Sequence, residues 1–473
     1  MISFGTDGWR GVIADDFTIQ NVRLVTQAVC DHMLTAKRQP LLVIGYDTRF
    51  MSDRFAREAA GVAAGNGINV MLTDGCAPTP AVSYAVVDYA ADGGIMFTAS
   101  HNPYRYNGLK FKESYGGSAG TATTAAIERH LKKRLGGKPP AYLDYAEAVR
   151  RGTVVPFDAK SPYLARLSEI VDRKLICRSG RGVVVDPMYG AGQGYLSHFL
   201  LSAGCDVAEI RCHRDPYFGG ANPEPLGQHL AELKASVSDA RPLGIALDGD
   251  ADRIGAVDAD GAFISSHKIF SLLLRYLVQE RGMTGDVVKT VSTTGMVDQL
   301  AAAYGLVVHE TPIGFKYICE HMVGGDILIG GEESGGIGIK GHLPERDGML
   351  MGALLAEMVN YYDKTLGALW NELQAAHGTF CYDRVDEEMP VSDRSLVVDF
   401  LGKHRPEEIG GVAVLKTDTR DGFKYTLADG SWLMVRPSGT EGVVRVYAEA
   451  GTPERVVILL KRGRSLIRAA RSR

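Results

Sequence analysis

The sequence predicts an α/β protein: three related α/β domains with mixed sheets, then a C-terminal α+β domain with an antiparallel sheet. Three observations predict it. Three segments repeat one order of apolar run, helix-like stretch, second strand candidate and closing apolar run. The last hundred residues switch to short strand runs separated by Asp-Gly and Ser-Gly turns. A length of 473 residues with 45% hydrophobic and 23% charged residues is an ordinary globular mix, long enough for several cores.

The opening runs of the three segments are LLVIGYDTR (41–49), GVVVDPMYGAG (182–192) and VVKTVSTTG (287–295), each ending in a polar or glycine-rich turn. Behind the first, Ser52 is expected to cap the helix DRFAREAAGVAAGNG. The second strands are INVMLTDG, CDVAEIRC and LVVHETPIG. The closing runs are GIMFTASHNP, GIALDGDADR and DILIGGEESGG. RLGGKPPAY (134–142) is rich in breakers and reads as a linker. Ser161-Pro162 then reads as the start of a helix with Tyr163, Leu167 and Ile170 on one face. After the turn of VDADG, Ile269, Leu272, Leu273, Tyr276 and Leu277 keep a helical spacing. FKYTLADGSWLMVRPSGTEGVVRVYAEA reads as antiparallel strands, and a final helix spans roughly 452–470. The expected domains are 1–145, 158–260, 261–375 and 380–473.

A net charge of −4 argues against nucleic acid as a partner. The tail LLKRGRSLIRAARSR is basic, and reads either as a contact for an anionic surface or as the solvated end of a terminal helix. Seven cysteines without a CxxC pair fit a reducing compartment. No apolar run approaches a membrane span. The expectation is a cytoplasmic monomer or homodimer with no membrane contact.

In open α/β sheets, ligands lie at loops beyond the carboxyl ends of strands. Four such loops carry chemistry. In TASHNP, Ser100 leaves a strand at a sharp turn and reads as a nucleophile or phosphoryl carrier, or as a Ser/Asn turn bonding its own backbone. In ALDGDADRIG, Asp248, Asp250 and Asp252 alternate, so their carboxylates can converge on a hard cation such as Mg²⁺. An EF-hand is excluded, because position six is Arg253 and position twelve is Ala259. A plain Asp-rich turn is the alternative, but three clustered carboxylates repel unless a cation neutralises them. In IGGEESGGIG, Glu332 and Ser334 suit the hydroxyls of a polyol, or form a glycine turn with solvated acids. In VRPSGTEG, Arg436, Ser438, Gly439 and Thr440 form a phosphate cradle or a tight strand–strand turn. Nucleophile, cation site, polyol site and phosphate site together describe phosphoryl transfer on a sugar phosphate.

From FGTDGWRG (4–11) to RPSGTEG (436–442), the sequence resembles the α-D-phosphohexomutase family, which includes phosphoglucomutases, phosphomannomutases and phosphoglucosamine mutases. TASHNP and DGDADR carry the resemblance most specifically. It implies four domains arranged around a central active-site cleft. It implies that Ser100 carries a phosphoryl group and that its phosphate joins Asp248, Asp250 and Asp252 around Mg²⁺, with Arg253 near the metal. His101 would bond near that phosphate, Arg10 would lie beside it, and Lys110 would be the general acid/base. Glu332 and Ser334 would hold the sugar in two orientations, and Lys316 and Arg346 would contact the substrate. The implied reaction runs through a hexose 1,6-bisphosphate that turns around without leaving.

The sugar-binding loop separates the subfamilies. Phosphoglucosamine mutases usually read GEQSGH and dual-specificity mannose/glucose enzymes GEMSGH, whereas this chain reads GEESGG, with Gly336 in place of the histidine. GEES and HLPERDG (342–348) resemble the phosphoglucomutase pattern. Glucose phosphates are therefore the expected substrate, with mannose phosphates the runner-up. A serine-dependent sugar phosphatase would share nucleophile and metal but would not need the polyol loop and phosphate cradle.

Overall fold

A computed structural model describes residues 2, 4, 5, 8–390, 393–438 and 442–472. The chain divides into two compact units, Met1–Asp286 with Gly314–Leu369, and Val287–Ile313 with Trp370–Arg473.

The first unit holds two complete sheets. One contains β1 (Trp9–Val12), β2 (Leu41–Tyr46), β3 (Asn69–Thr73), β4 (Gly93–Phe97), β5 (Tyr106–Glu113) and β6 (Val154–Phe157), in the order β1-β5-β4-β2-β3-β6. The strands β4, β2, β3 and β6 are parallel, while β5 runs antiparallel to both β4 and β1. The edge strand β6 follows the linker, so the chain still feeds this sheet beyond residue 145. The other sheet contains β7 (Val183–Asp186), β8 (Val207–Glu209), β9 (Leu243–Leu247), β10 (Ile254–Val257) and β11 (Phe263–Ile264), in the order β11-β10-β9-β7-β8. Here β8, β7 and β9 are parallel, and β10 returns antiparallel to β9.

The third segment is divided between the units. In the second unit β12 (Asp286–Thr290) pairs in parallel with β13 (Val308–Thr311). In the first unit β14 (Ile327–Gly331) pairs antiparallel with β15 (Ile337–Ile339). The repeat read from the sequence is thus a repeated device. A fully buried strand (β4, β9 or β14) ends in a chemistry-bearing turn and returns antiparallel. Burial on both faces explains why these strands read as continuous apolar runs.

The first core is organised around aromatic rings. Phe17 stacks on Trp9 at 4.5 Å and meets Phe55 edge-on at 4.9 Å. The predicted helix face at Ile269, Leu272, Leu273, Tyr276 and Leu277 is buried on helix Ser266–Gln279. Two expected caps differ. Met51, in the left-handed region at φ 61°, takes the position before helix Ser52–Gly65, and Ser52 instead donates its hydroxyl to Asp47. Helix Lys160–Ile170 begins one residue before Ser161, and Asp158 accepts from the backbone N–H groups of Lys160 and Ser161.

The second unit also contains an antiparallel sheet. Its strands β16 (Cys381–Glu388), β17 (Glu408–Ile409), β18 (Val412–Asp418), β19 (Phe423–Leu427), β20 (Trp432–Pro437) and β21 (Val443–Ala450) are ordered β16-β21-β20-β19-β18-β17. Helix Pro453–Arg471, capped by Thr452, buries Val456, Leu459, Leu460 and Ile467 against it. Gly463 permits the close approach, since a Cβ there would lie 2.3 Å from Val446. Lys461, Arg462 and Arg468 of the basic tail are exposed on the opposite face. All seven cysteines are free thiols. Among the described residues, no helix is long and apolar enough to cross a membrane.

One ion cluster makes the second unit's acid stability testable. Glu310 on β13 accepts from Arg420 at 2.5 Å and Lys424 at 3.2 Å. Burial opposes its ionisation, but Lys424, Lys289 and Arg420 outweigh it and hold the carboxyl below its ordinary range. A depressed carboxylate stabilises the fold above its unfolded pKa of about 4.3, and that contribution is lost as pH falls through the lower folded value. Glu310→Gln should cost about 1 kcal/mol at neutral pH. Thermal unfolding followed from neutral to acid pH should show the gap between variant and wild type closing below about pH 4.

Candidate active site

The site lies within the first unit and is assembled from six separate stretches of chain. The turn after β4 brings Ser100, fully buried and at φ 52°. That left-handed conformation is uncommon for a residue with a Cβ and is held by its surroundings. The holder is Arg49. Its guanidinium donates to the carbonyls of Ser100 at 2.6 Å and Asn102 at 2.7 Å, and to those of Pro103 and Tyr106 at 3.0 and 3.1 Å. Asp47 pairs with its Nε at 3.1 Å. Burial pushes the Asp47 carboxyl up and the Arg49 guanidinium down, the pair's attraction opposing both shifts. Thr98 Oγ1 accepts from the Ser100 backbone N–H at 2.9 Å.

Ser100 Oγ donates to Asp248 Oδ2 at 2.7 Å and lies 3.3 Å from His101 Nδ1. Asp248, Asp250 and Asp252 are fully buried in the turn between β9 and β10, and their ligand atoms lie within 4.8 Å of one another. Ala251 at φ 58° turns the backbone so that alternate carboxylates converge. The two turns interlock closely, because a Cβ on Gly249 would lie 2.4 Å from the Ser100 carbonyl oxygen.

Three cations face the triad. Lys110 on β5 donates to Asp250 Oδ2 and Asp252 Oδ2, both at 2.8 Å. Arg346 Nη2 lies 3.0 Å from the same Asp252 oxygen. Arg253 Nε lies 3.9 Å from Asp248 and from Asp252. Thr79 Oγ1 donates to Asp250 Oδ2 at 2.5 Å. The carboxylates respond unequally. Burial, reinforced by Asp250 and Asp252, drives the Asp248 carboxyl well above its usual range. At Asp250 burial acts in the same direction, but Lys110 and Thr79 prevail and the shift is downward.

This arrangement fits a hard divalent cation. Among the described residues, Asp250 Oδ1 and Asp252 Oδ1 are buried without a hydrogen-bond partner. Oxygen-only donors at this spacing suit Mg²⁺ or a close relative.

The third loop joins through Arg346. Its Nη1 lies 3.3 Å from Glu332 Oε2, while Glu332 Oε1 accepts from the Gly314 N–H at 3.0 Å. Burial raises the Glu332 carboxyl, with Arg346 opposing. Ser334 Oγ is buried and has no hydrogen-bond partner among the described residues. Gly336 leaves the space that Arg346 fills, since a Cβ there would be 2.5 Å from Arg346 Cδ. On β1, Arg10 donates to Asn102 Oδ1 at 2.5 Å, beside the serine turn.

Ser100, His101, Lys110, Arg10, the three aspartates, Arg253, Glu332 and Arg346 thus form one connected group, and Ser334 belongs to the same loop as Glu332. Lys316 is half-buried at the start of helix Phe315–Gly324, its ammonium 5.0 Å from the Tyr317 ring. Arg436 and Ser438 lie in the second unit, where Arg436 donates to Asp421 at 2.8 Å. Gly439 and Thr440 lie outside the described residues. Sequence reasoning missed Arg49 and Thr79. Arg49 follows β2 in GYDTR, at a strand's carboxyl end where sites are expected, so a signal was present. Thr79 opens helix Thr79–Asp88 in a Thr-Pro pair and gives no such signal.

The chain matches the family models described as phosphoglucomutase/phosphomannomutase alpha/beta/alpha domain I at residues 1–136, domain II at 161–261, domain III at 265–376 and C-terminal domain at 398–457. A phosphoglucomutase/phosphomannomutase of Thermococcus kodakarensis is 30% identical over 475 residues, covering 99% of this chain and 98% of that protein. A phosphoglucosamine mutase of Corynebacterium glutamicum is also 30% identical, covering 95% and 96%. A crystal structure from Thermus thermophilus, assigned provisionally as a phosphomannomutase, is 37% identical, with a TM-score of 0.87 over 99% of both chains.

Asp248→Asn separates the metal site from the fold. The amide keeps an oxygen for the Arg253 N–H, which donates to Asp248 Oδ1 at 3.1 Å, and removes one of three crowded charges. In metal-free buffer the variant should be at least as stable as the wild type in thermal unfolding. Its Mn²⁺ binding, measured by calorimetric titration, should weaken by about tenfold or more.

Proposed function

Because the chain belongs to the phosphoglucomutase/phosphomannomutase family, whose members are mutases, we propose that it interconverts glucose 1-phosphate and glucose 6-phosphate through a phosphorylated Ser100. The observation that carries the reading is the contact of Ser100 Oγ with Asp248 Oδ2 at 2.7 Å, at the edge of a buried carboxylate triad. It fits a phosphoryl carrier whose charge is met at the triad. The division into four domains is part of this reading, with the first carried past residue 145 to include β6, and the four matching models support it.

In the first transfer the Ser100 Oγ–P bond breaks as a bond forms from phosphorus to the free hydroxyl oxygen of the hexose monophosphate. The hydroxyl proton passes to Lys110 Nζ, which acts here as the neutral amine after giving up a proton, and the departing Ser100 Oγ takes up a proton from the protonated His101 ring, whose Nδ1 lies 3.3 Å away. The bisphosphate turns around, and the reverse steps return its other phosphate to Ser100. Asp248, Asp250 and Asp252 would hold Mg²⁺, which supplies charge neutralisation for the transferring group when bound. Arg10, His101 and Arg253 border the transferred phosphate. Glu332 and Ser334 accept from and donate to sugar hydroxyls in both orientations. Lys316 contacts the sugar phosphate, and Arg436, Ser438, Gly439 and Thr440 hold the phosphate that is not reacting. Burial of Ser100 favours transfer over loss to water.

Glucose is preferred over mannose because the loop reads GEESGG. Gly336, which stands where the GEQSGH and GEMSGH patterns have a histidine, gives its space to Arg346, whose guanidinium lies beside Glu332. Mannose phosphates are the second reading, and the sequence likeness to phosphoglucosamine mutases makes glucosamine phosphates the necessary control.

The test is ³¹P NMR of the protein with Mg²⁺ and a trace of hexose 1,6-bisphosphate, given glucose, mannose or glucosamine 1-phosphate in separate samples. The 6-phosphate signal should grow fastest from glucose 1-phosphate and fall by about a thousandfold or more in Ser100→Ala. Growth of inorganic phosphate instead would replace the mutase with a phosphatase. A faster second sugar would leave the mechanism standing and remove the glucose preference.

A further inference from the structure

Strand β5 carries two fully buried lysines, Lys110 and Lys112. Two residues apart on a strand, they project from the same face. Lys110 meets the aspartate triad, whereas Lys112 Nζ donates to Glu345 Oε2 at 2.5 Å. The same carboxylate oxygen accepts from Ser118 Oγ at 2.7 Å. Glu345 Oε1 accepts from the Arg346 backbone N–H at 3.1 Å and faces Arg346 Nε at 3.8 Å. Arg346 then reaches Asp252 Oδ2, the oxygen that Lys110 also contacts. The contacts close a ring: Asp252, Lys110, along β5 to Lys112, Glu345, Arg346 and back to Asp252. The loop after β5 is seated tightly on the Glu345 segment, since a Cβ on Gly117 would lie 2.7 Å from the Pro344 carbonyl oxygen.

A fully buried ion pair is a poor way to gain stability, because an apolar pair of the same volume is often as good or better. What it does supply is a fixed geometry. From the closed ring we infer that Lys112 and Glu345, steadied by Ser118, are positioning residues: they set the spacing of Lys110 and Arg346 on Asp252 and hence the alignment of the proton-transfer group with the sugar loop. The inference rests on the mutase reading above. Neither residue touches the reacting atoms; Glu345 lies within HLPERDG (342–348), next to Arg346, and Lys112 lies outside the site motifs.

The experiment compares wild type, Lys112→Met, Glu345→Gln and the double variant Lys112→Met/Glu345→Met. Each is assayed in steady state with the hexose 1-phosphate that wild type uses best, and each is followed in thermal unfolding. The single variants should lose about tenfold or more in kcat with KM within about threefold, because alignment and not binding is disturbed. The double variant should recover thermal stability, since no buried charge is left unpaired, while kcat stays low. Mn²⁺ titration of the same proteins gives a readout independent of turnover. Loosening two cations that compete for Asp252 should tighten Mn²⁺ binding by about threefold or more. Lys112→Arg should keep the charge and recover part of kcat. The inference is overturned if either single variant keeps kcat within about threefold of wild type, if the double variant recovers kcat with stability, or if Mn²⁺ affinity is unchanged. A wild type that is inactive on every hexose phosphate would sink the mutase reading first, and so is distinguishable from failure of the brace.

Discussion

Three carboxylates buried within 4.8 Å of one another are the constraint around which the first unit is arranged. Like charges about 4 Å apart repel by roughly 4 kcal/mol at an effective dielectric of about 20. Such a group persists only if positive charge and hydrogen bonds are brought to it. Lys110 comes from β5, Arg346 from the segment after β15, Arg253 from the triad's own turn and Thr79 from a helix start. The balance is uneven: Asp250 receives a full ammonium, while Asp248 receives a serine hydroxyl and a distant guanidinium. The carboxyl that burial and its two neighbours push well above its usual range, Asp248, is the one that contacts Ser100. The triad therefore fits a cation at the point where the phosphoryl group is proposed to be carried.

The same economy governs the backbone. Ser100 and Ala251 both take left-handed conformations in turns where side chains must point out of a buried strand's end. Arg49 holds the first of these through four carbonyls, and Gly249 lets the second approach it. A phosphatase could use the nucleophile and the triad alone. In the proposed mutase reading, Glu332 tied to Arg346, and Ser334, whose hydroxyl has no hydrogen-bond partner among the described residues, would add a surface for a polyol that is gripped twice.

Short-range features were legible in the sequence. The buried strands were readable as continuous apolar runs, and the turns that follow them were readable as polar breaks carrying Ser100 and the three aspartates. The partners of those residues were not, because they lie far away in the chain. Thr79 meets Asp250 across 171 positions, and Lys112 meets Glu345 across 233. No local pattern encodes such pairs. Ser52 shows the limit at close range as well. Its place before an apolar-periodic helix suggested a cap, yet the buried Asp47 carboxylate offers its hydroxyl a stronger partner. Gly336 was readable only as a missing histidine; its reason, the Arg346 side chain filling the space, required the fold. The division of the third segment between two compact units likewise left no mark in a repeat that reads the same three times.

The central claim is that Ser100 carries the phosphoryl group. The most direct measurement is peptide mass spectrometry after brief exposure of the protein to Mg²⁺ and a hexose 1,6-bisphosphate, with and without a chase of hexose monophosphate. The account predicts one phosphate on the peptide containing Ser100, formed with the bisphosphate and exchanged during the chase. A phosphate on another residue, or an unmodified peptide from a protein that turns substrate over, would contradict it.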